Sequence, residues 1–199
     1  TWQAHARAAL QAWLAQQTGP PLPLLLVGIS EGAELLAGLA PAVPQLAGLV
    51  LLSASGLDPQ EAGALQAARL GQSAAWAQIG RVQAGDAPDS QSLQGRSLRY
   101  WRVLWRWRSA QALIDGPWPL LHVWGEADAL VPPQAAQRFA ARAAARRAPY
   151  CARSLPGADH GLQTEGRDGV QQAWAWVERW MRLHSSPGSS LFDSFSRFP

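Results

Sequence analysis

The chain has no lysine. All 17 of its basic residues are arginine, set against 14 acidic ones, for a formal net charge of +3. Arginine in place of lysine raises the isoelectric point without adding charge. The arginines are also spread along the chain, so this balance does not describe a nucleic-acid partner. There is a single cysteine, Cys151, which excludes an internal disulfide and a cysteine metal cluster. No apolar run approaches the ~20 residues of a membrane helix. The longest candidate, residues 20 to 30, is strand-sized and interrupted by proline and glycine. A charged-then-apolar leader is missing as well. Together with the solitary cysteine, these features fit a cytoplasmic protein.

What remains is enough for one sizeable core: 199 residues, 48% of them hydrophobic. Residues 1 to 17 carry Trp2, Ala6, Leu10, Trp13 and Leu14 at helical spacing. TGPP breaks that helix, and PLPLLLVG follows as a continuous apolar run of the kind buried on both faces of a sheet. A helix of small residues is predicted over 31 to 39. Further buried strands are predicted at 46 to 53 and 119 to 124, a helix at 132 to 147, a short strand at 149 to 155 and a last amphipathic helix at 169 to 183. Strands alternating with helices, and not themselves alternating in polarity, indicate an α/β class with a mostly parallel sheet and flanking helices. Residues 1–55 and 117–184 make this core. Residues 56–116 interrupt it as a largely helical insertion, and the Ser-rich segment 185–199, with Phe192, Phe195 and Phe198, reads as a flexible tail.

The stretch GISEG, residues 28 to 32, joins the first buried strand to the small-residue helix. A serine becomes an exposed nucleophile in such a setting. The turn is tight enough that its flanks must be nearly free of side chains, which Gly28 and Gly32 supply, and Ser30 is lifted off the sheet end. The backbone N–H of Glu31, at the helix start, can face a developing oxyanion. Without a function, the same serine would simply cap the helix.

Serine needs a base, and the base needs an orienting acid. Of the four histidines, His5 lies in the first helix, His122 inside an apolar strand and His184 beside the tail. His160 differs, because PGADHGL places it in a loop between the short strand and the last helix, at the sheet end where Ser30 stands. Glu126 and Asp128 directly follow the strand LLHVW, and Asp58 follows the strand before it, so each is a candidate acid. Asp159 adjoins the base, and adjacent side chains diverge.

These three segments resemble those of the α/β-hydrolases. VGISEG resembles the nucleophile elbow, LLHVWGEADALVPP the segment whose aspartate is the triad acid, and PGADHG the histidine loop. The resemblance implies the α/β-hydrolase fold and a Ser30, Asp128, His160 triad, in the chain order Ser, Asp, His. It implies a serine hydrolase that cleaves a small-molecule carboxylic ester through an acyl-enzyme, with no cofactor and no metal. Thioesterases and serine peptidases use the same machinery. One departure stands out: the family has about four strands before the elbow, and here a single helix precedes it. The missing part carries the loop with the second oxyanion donor, which is worth about 3 kcal/mol in the transition state. The expectation is a fragmentary form with little activity of its own, and a non-catalytic binding module is the alternative reading.

In the insertion, RSLRYWRVLWRWRSA spans residues 96 to 110. On a helix, Leu98, Trp101, Leu104 and Trp105 share one face, and Arg99, Arg102 and Arg106 form a stripe turned to solvent. A helix apolar on most sides fits a cap over the site, favouring an uncharged acyl or aromatic ester. Arg138, Arg142 and Arg146 read as a solvated helix face.

Overall fold

The computed structural model describes residues 2–20 and 22–184. The segment from residue 185 on, with its three phenylalanines, lies outside the described residues.

The unbroken Leu/Val run LAGLVLL becomes an inner strand, because only burial on both sides suits such a sequence. In chain order, the first half holds α1 (Trp2–Ala15), β1 (Leu24–Ile29), a 3-10 helix (Ser30–Leu35) running into the single turn α2 (Leu36–Leu39), and β2 (Leu46–Leu52). The insertion follows: α3 (Pro59–Arg69), α4 (Ser73–Ala84), the hairpin β3 (Ser92–Leu93) and β4 (Arg96–Ser97), α5 (Leu98–Arg106) and α6 (Ala110–Asp115). The chain then returns to the core with β5 (Leu120–Gly125), α7 (Pro133–Ala143), β6 (Tyr150–Leu155), the hairpin β7 (Gln163–Thr164) and β8 (Arg167–Asp168), and α8 (Gly169–His184).

Four strands pair in parallel in the order β1-β2-β5-β6. Their alternate side chains feed two cores. Leu49, Leu51 and Leu120 pack with Leu57, Leu113 and Phe139 on one face. Val50, Leu52, Leu121 and Val123 pack with Val177 and Trp180 of α8 on the other. Each fully buried side chain of this kind contributes about 1.5–3 kcal/mol. The insertion has a small core of its own, in which Ile79, Leu98 and Trp101 are buried against Trp76 and Trp105. No helix among the described residues is long and apolar enough to cross a membrane.

Several expectations change. The first strand is not buried on both faces. It is an edge of the four-stranded sheet, Leu24–Val27 are half-buried, and Ile29 is 59% exposed. The helix α1 buries none of its residues. The segment predicted as a helix over 31 to 39 is mostly 3-10, since its glycines and small residues give little support to a regular α-turn. Both hairpins went unpredicted. The turn of the first, Gln94–Gly95, has two positive φ angles but lacks the usual Asn or Asp.

Arg102 and Arg146 are less solvated than their spacing implies, while Arg138 and Arg142 stay exposed as expected and still find a partner. Arg102 donates to the carbonyls of Gln83 (2.9 Å), Gly85 (2.6 Å) and Ala87 (2.7 Å) and pairs with Asp89, stitching the loop after α4 to α5. Arg138 and Arg142 both grip Glu61 of α3, Arg142 with two donors at 2.7 and 2.8 Å. Arg146 donates to four carbonyls, those of Ile114, Gly116, Trp118 and Pro149.

The turn from β1 into the 3-10 helix is crowded on one side only. A Cβ on Gly28 would overlap the backbone of Ala33, whereas a Cβ on Gly32 would meet nothing within 4 Å. The expectation that both glycines clear the turn therefore holds for Gly28 and not for Gly32, whose flank is open. Gly28→Ala should destabilise the protein by about 1–3 kcal/mol, and Gly32→Ala by less than about 0.5 kcal/mol. Denaturant melts of the two variants check this, and equal losses would contradict the one-sided turn.

His122 is fully buried on β5. Its Nε2–H donates to the Ala54 carbonyl at 2.8 Å, which leaves Nδ1 to accept from the Tyr150 hydroxyl at 3.1 Å. Burial lowers its pKa from 6.5 to about 4. The unfolded chain therefore takes up this proton first as pH falls. The stability tied to a neutral His122 is complete above about pH 6.5 and is lost, by about 3 kcal/mol, on going down to about pH 4. His122→Gln can keep the donor to Ala54 but cannot titrate, so its stability should fall less than wild type over that window. Parallel acid-side slopes in denaturant melts would contradict this.

Candidate active site

Ser30 begins the 3-10 helix at the carboxyl end of β1, with φ at +52°. A non-glycine residue in the left-handed region costs about 1 kcal/mol or more and persists only where its surroundings impose it. Here the contact between Gly28 and Ala33 imposes it. Glu31 is the second residue of the helix, so its N–H precedes the first intrahelical bond and is available to a ligand.

Asp128 and His160 occupy the loops after the next core strands, β5 and β6. Gly125 closes β5, and a Cβ there would overlap the carbonyls of Ala158 and Asp159. Without one, the two loops touch, and the Ala127 N–H donates to the Ala158 carbonyl at 2.9 Å. The histidine loop is a small closed turn, in which Asp159 exchanges backbone and side-chain bonds with Gln163 (2.9 Å each).

The three residues meet. His160 Nδ1–H donates to Asp128 Oδ2 at 2.8 Å, and the Ser30 hydroxyl lies 3.0 Å from His160 Nε2, oriented to donate once Nδ1 holds the ring proton. The carboxylate of Asp128 is 2% exposed, and its other oxygen accepts from the N–H groups of Leu130 and Val131, both at 2.8 Å. Three donors hold a buried anion in one orientation, with one lone pair aimed at the imidazole. The imidazole keeps 24% of its side-chain surface exposed. A proton can thus pass from serine to histidine beside a fixed counter-charge.

The rival acids are employed elsewhere. Asp58 Oδ1 accepts from the N–H groups of Ser109 (2.9 Å) and Ala110 (3.0 Å), capping α6, with Arg108 at 3.7 Å from its other oxygen. Glu126 accepts from the Ser154 hydroxyl at 2.6 Å. Asp159 is used within its own turn. Among the described residues, no group of three or more His, Cys, Asp or Glu side chains could hold a metal ion.

Two features escaped sequence reasoning. Arg69, at the end of α3, donates to the carbonyls of Asp128 (2.7 Å) and Ala129, and Gln66 donates to Ala129 at 2.9 Å. The insertion thereby braces the acid loop from outside. No local pattern could signal a contact across 59 residues. Glu34, about one helical turn beyond Ser30, lines a cavity between this segment and α5. A second glutamate three positions after Glu31 in an otherwise apolar stretch was its only sign.

No protein-family model matches the sequence, and no curated protein matches it. Solved structures do match. They include Est1E from Butyrivibrio proteoclasticus (17% identity, 94% of this chain and 70% of that one, TM-score 0.66). The esterase domain of a Rhodothermus marinus protein is another (21%, 92% and 70%, TM-score 0.60). A third is the α/β hydrolase GrgF from Penicillium sp. sh18 (13%, 92% and 71%, TM-score 0.60). At such identities the likeness is one of fold, a parallel sheet flanked by helices. The chain has the α/β-hydrolase fold.

Proposed function

We propose that this chain is a serine hydrolase that cleaves a carboxylic ester. The observation that carries the reading is the continuous hydrogen-bond chain from Ser30 through His160 to the buried, three-donor carboxylate of Asp128. A serine hydroxyl as a mere helix cap would need neither the imidazole nor the acid behind it.

The reaction then runs in two halves. Ser30 Oγ attacks the ester carbonyl while His160 Nε2 takes the hydroxyl proton, and the Glu31 N–H faces the oxyanion. Asp128 holds the ring in the tautomer that can accept that proton and balances the imidazolium that results. As the tetrahedral species collapses, His160 gives the proton to the leaving alkoxide oxygen, and the acyl group stays on Ser30. Water, deprotonated by the same nitrogen, attacks the acyl-enzyme, and the proton returns to Ser30 as the acid departs. In this reading residues 56–116 act as the cap, with α5 lying over the segment that follows the nucleophile.

A fluorophosphonate probe should label the wild-type chain at Ser30, and Ser30→Ala should abolish the adduct by mass spectrometry. Labelling that survives the substitution would end the assignment. Asp128→Asn should lower kcat on a para-nitrophenyl ester by about three to four orders of magnitude, because it disturbs the tautomer and the charge of His160. Asp58→Asn should cost only a few-fold. The reverse order of losses would move the acid to the end of β2.

A further inference from the structure

A cavity of about 370 Å3 lies between the segment after Ser30 and helix α5. Trp2, Tyr100 and Trp107 line it, with Trp2 and Tyr100 in edge contact at 6.4 Å. Glu31 and Glu34 stand on the core side of the same cavity. Glu31 follows Ser30 directly in the chain, so the cavity is built on the same short helix as the candidate nucleophile, although Ser30 and His160 do not themselves line it.

The cavity has the usual make-up of a small-molecule site, apolar and aromatic walls with a few convergent polar groups. What is unusual is the sign of those groups. Neither glutamate forms a hydrogen bond or an ion pair with another described residue, while Glu61, by contrast, is held by two arginines. Arg99 and His5 also line the cavity but pair with neither carboxyl, and the Arg96 guanidinium is turned onto the Tyr100 ring at 5.3 Å. Arg106 and Arg108 line an adjoining cavity with Glu34 without forming an ion pair to it, Arg108 lying beside Asp58. Burial, and secondarily the charge of Glu31, raise the Glu34 pKa from 4.5 to about 7. The same two causes, burial first, raise that of Tyr100, which stays neutral below its ordinary value. An uncompensated carboxylate against aromatic rings is costly when the cavity is empty. A cation relieves that cost twice, through the carboxylate charge and through the negative faces of the rings. A neutral aromatic group would fill the space and leave the charge uncompensated.

We propose that this cavity binds an ammonium group carried by the substrate, and that Glu34 selects for it. The inference rests on the hydrolase reading for the word substrate, though not for the binding itself. It departs from the uncharged ester that α5 alone suggests, because the acidic side of the cavity comes from the segment after the nucleophile.

Calorimetric titration with phenyltrimethylammonium tests binding without turnover. The wild-type chain should bind it, Glu34→Gln at least tenfold more weakly, and the wild-type affinity should rise from pH 6 to pH 8 as Glu34 ionises. The same pH series in His5→Gln removes the other imidazole facing the cavity, and the rise should persist. Turnover is read as a ratio within each protein. Two para-nitrophenyl esters are compared, one whose acyl chain ends in trimethylammonium and one ending in tert-butyl, and the pair is repeated with the end group on the alcohol side. His160 acts on both members equally, so its titration cancels. In one of the pairs the charged ester should win in kcat/KM by at least tenfold, with the preference lost in Glu34→Gln. Binding that is undetectable, or equally tight in a folded Glu34→Gln and flat with pH in wild type, overturns the proposal even if Ser30 is labelled by a fluorophosphonate. A preference for the neutral ester in both pairs overturns it too. Ammonium binding that behaves as expected in a chain that resists the fluorophosphonate upholds the cavity's selectivity and removes the hydrolase reading instead.

Discussion

The turn at Gly28 is the constraint from which the rest of the site follows. β1 must stop and reverse into a helix within a residue or two, and the backbone of Ala33 comes so close that position 28 cannot carry a Cβ. That contact drives Ser30 to a φ of +52° and sets the 3-10 winding of the next six residues. Relaxing the turn would let Ser30 settle into an ordinary helical conformation, and its hydroxyl would leave the line of His160 Nε2. The N–H of Glu31 and the carboxyl of Glu34 would move with it, since both ride on the same short helix. The sheet supplies a rigid base, with β2 and β5 buried on both faces and His122 locked between Ala54 and Tyr150. Strain at one residue can therefore be held by the packing of many.

The parallel sheet was legible because its inner strands β2 and β5 are apolar runs, and the candidate site residues were legible because each stands in a loop after one of three strands, β1, β5 and β6. Ser30, Asp128 and His160 are each announced by local turn chemistry: Gly28 before the serine, the loop after LLHVW, and the Gly-flanked histidine. The failures share a cause of another kind. Gly32 looked like Gly28 in the sequence, but whether a Cβ fits depends on what lies across from it. Arg102 had the spacing of a solvated stripe, yet it is largely covered by the loop after α4, and Arg138 and Arg142, exposed as expected, also reach Glu61, 77 and 81 residues away. The run LLLVGI resembled an inner strand and became an edge, since strand order is a property of the whole sheet and not of one segment.

Charge is handled differently on the two sides of Ser30. On the His160 side the buried carboxylate of Asp128 is fully satisfied by two backbone donors and an imidazole. On the α5 side Glu34 is half-buried without a described partner, and burial shifts its titration toward neutrality. The first arrangement fixes an orientation. The second leaves a carboxyl group without a fixed partner beside aromatic rings.

The grip of α3 on the acid loop bears on how such proteins can be recombined. Residues 56–116 are the obvious segment to exchange between chains of this fold, since both ends return to the same sheet. Yet Arg69 and Gln66 hold the backbone of Asp128 and Ala129, Glu61 is clasped by α7, and Asp58 caps the far end of the same segment. A graft chosen only for the shape of its pocket would remove these props together. The chimera would then keep Ser30 and His160 in place over a slack Asp128. Transplants that begin after Arg69 and end before Arg108 would carry the pocket across and leave the scaffold in place.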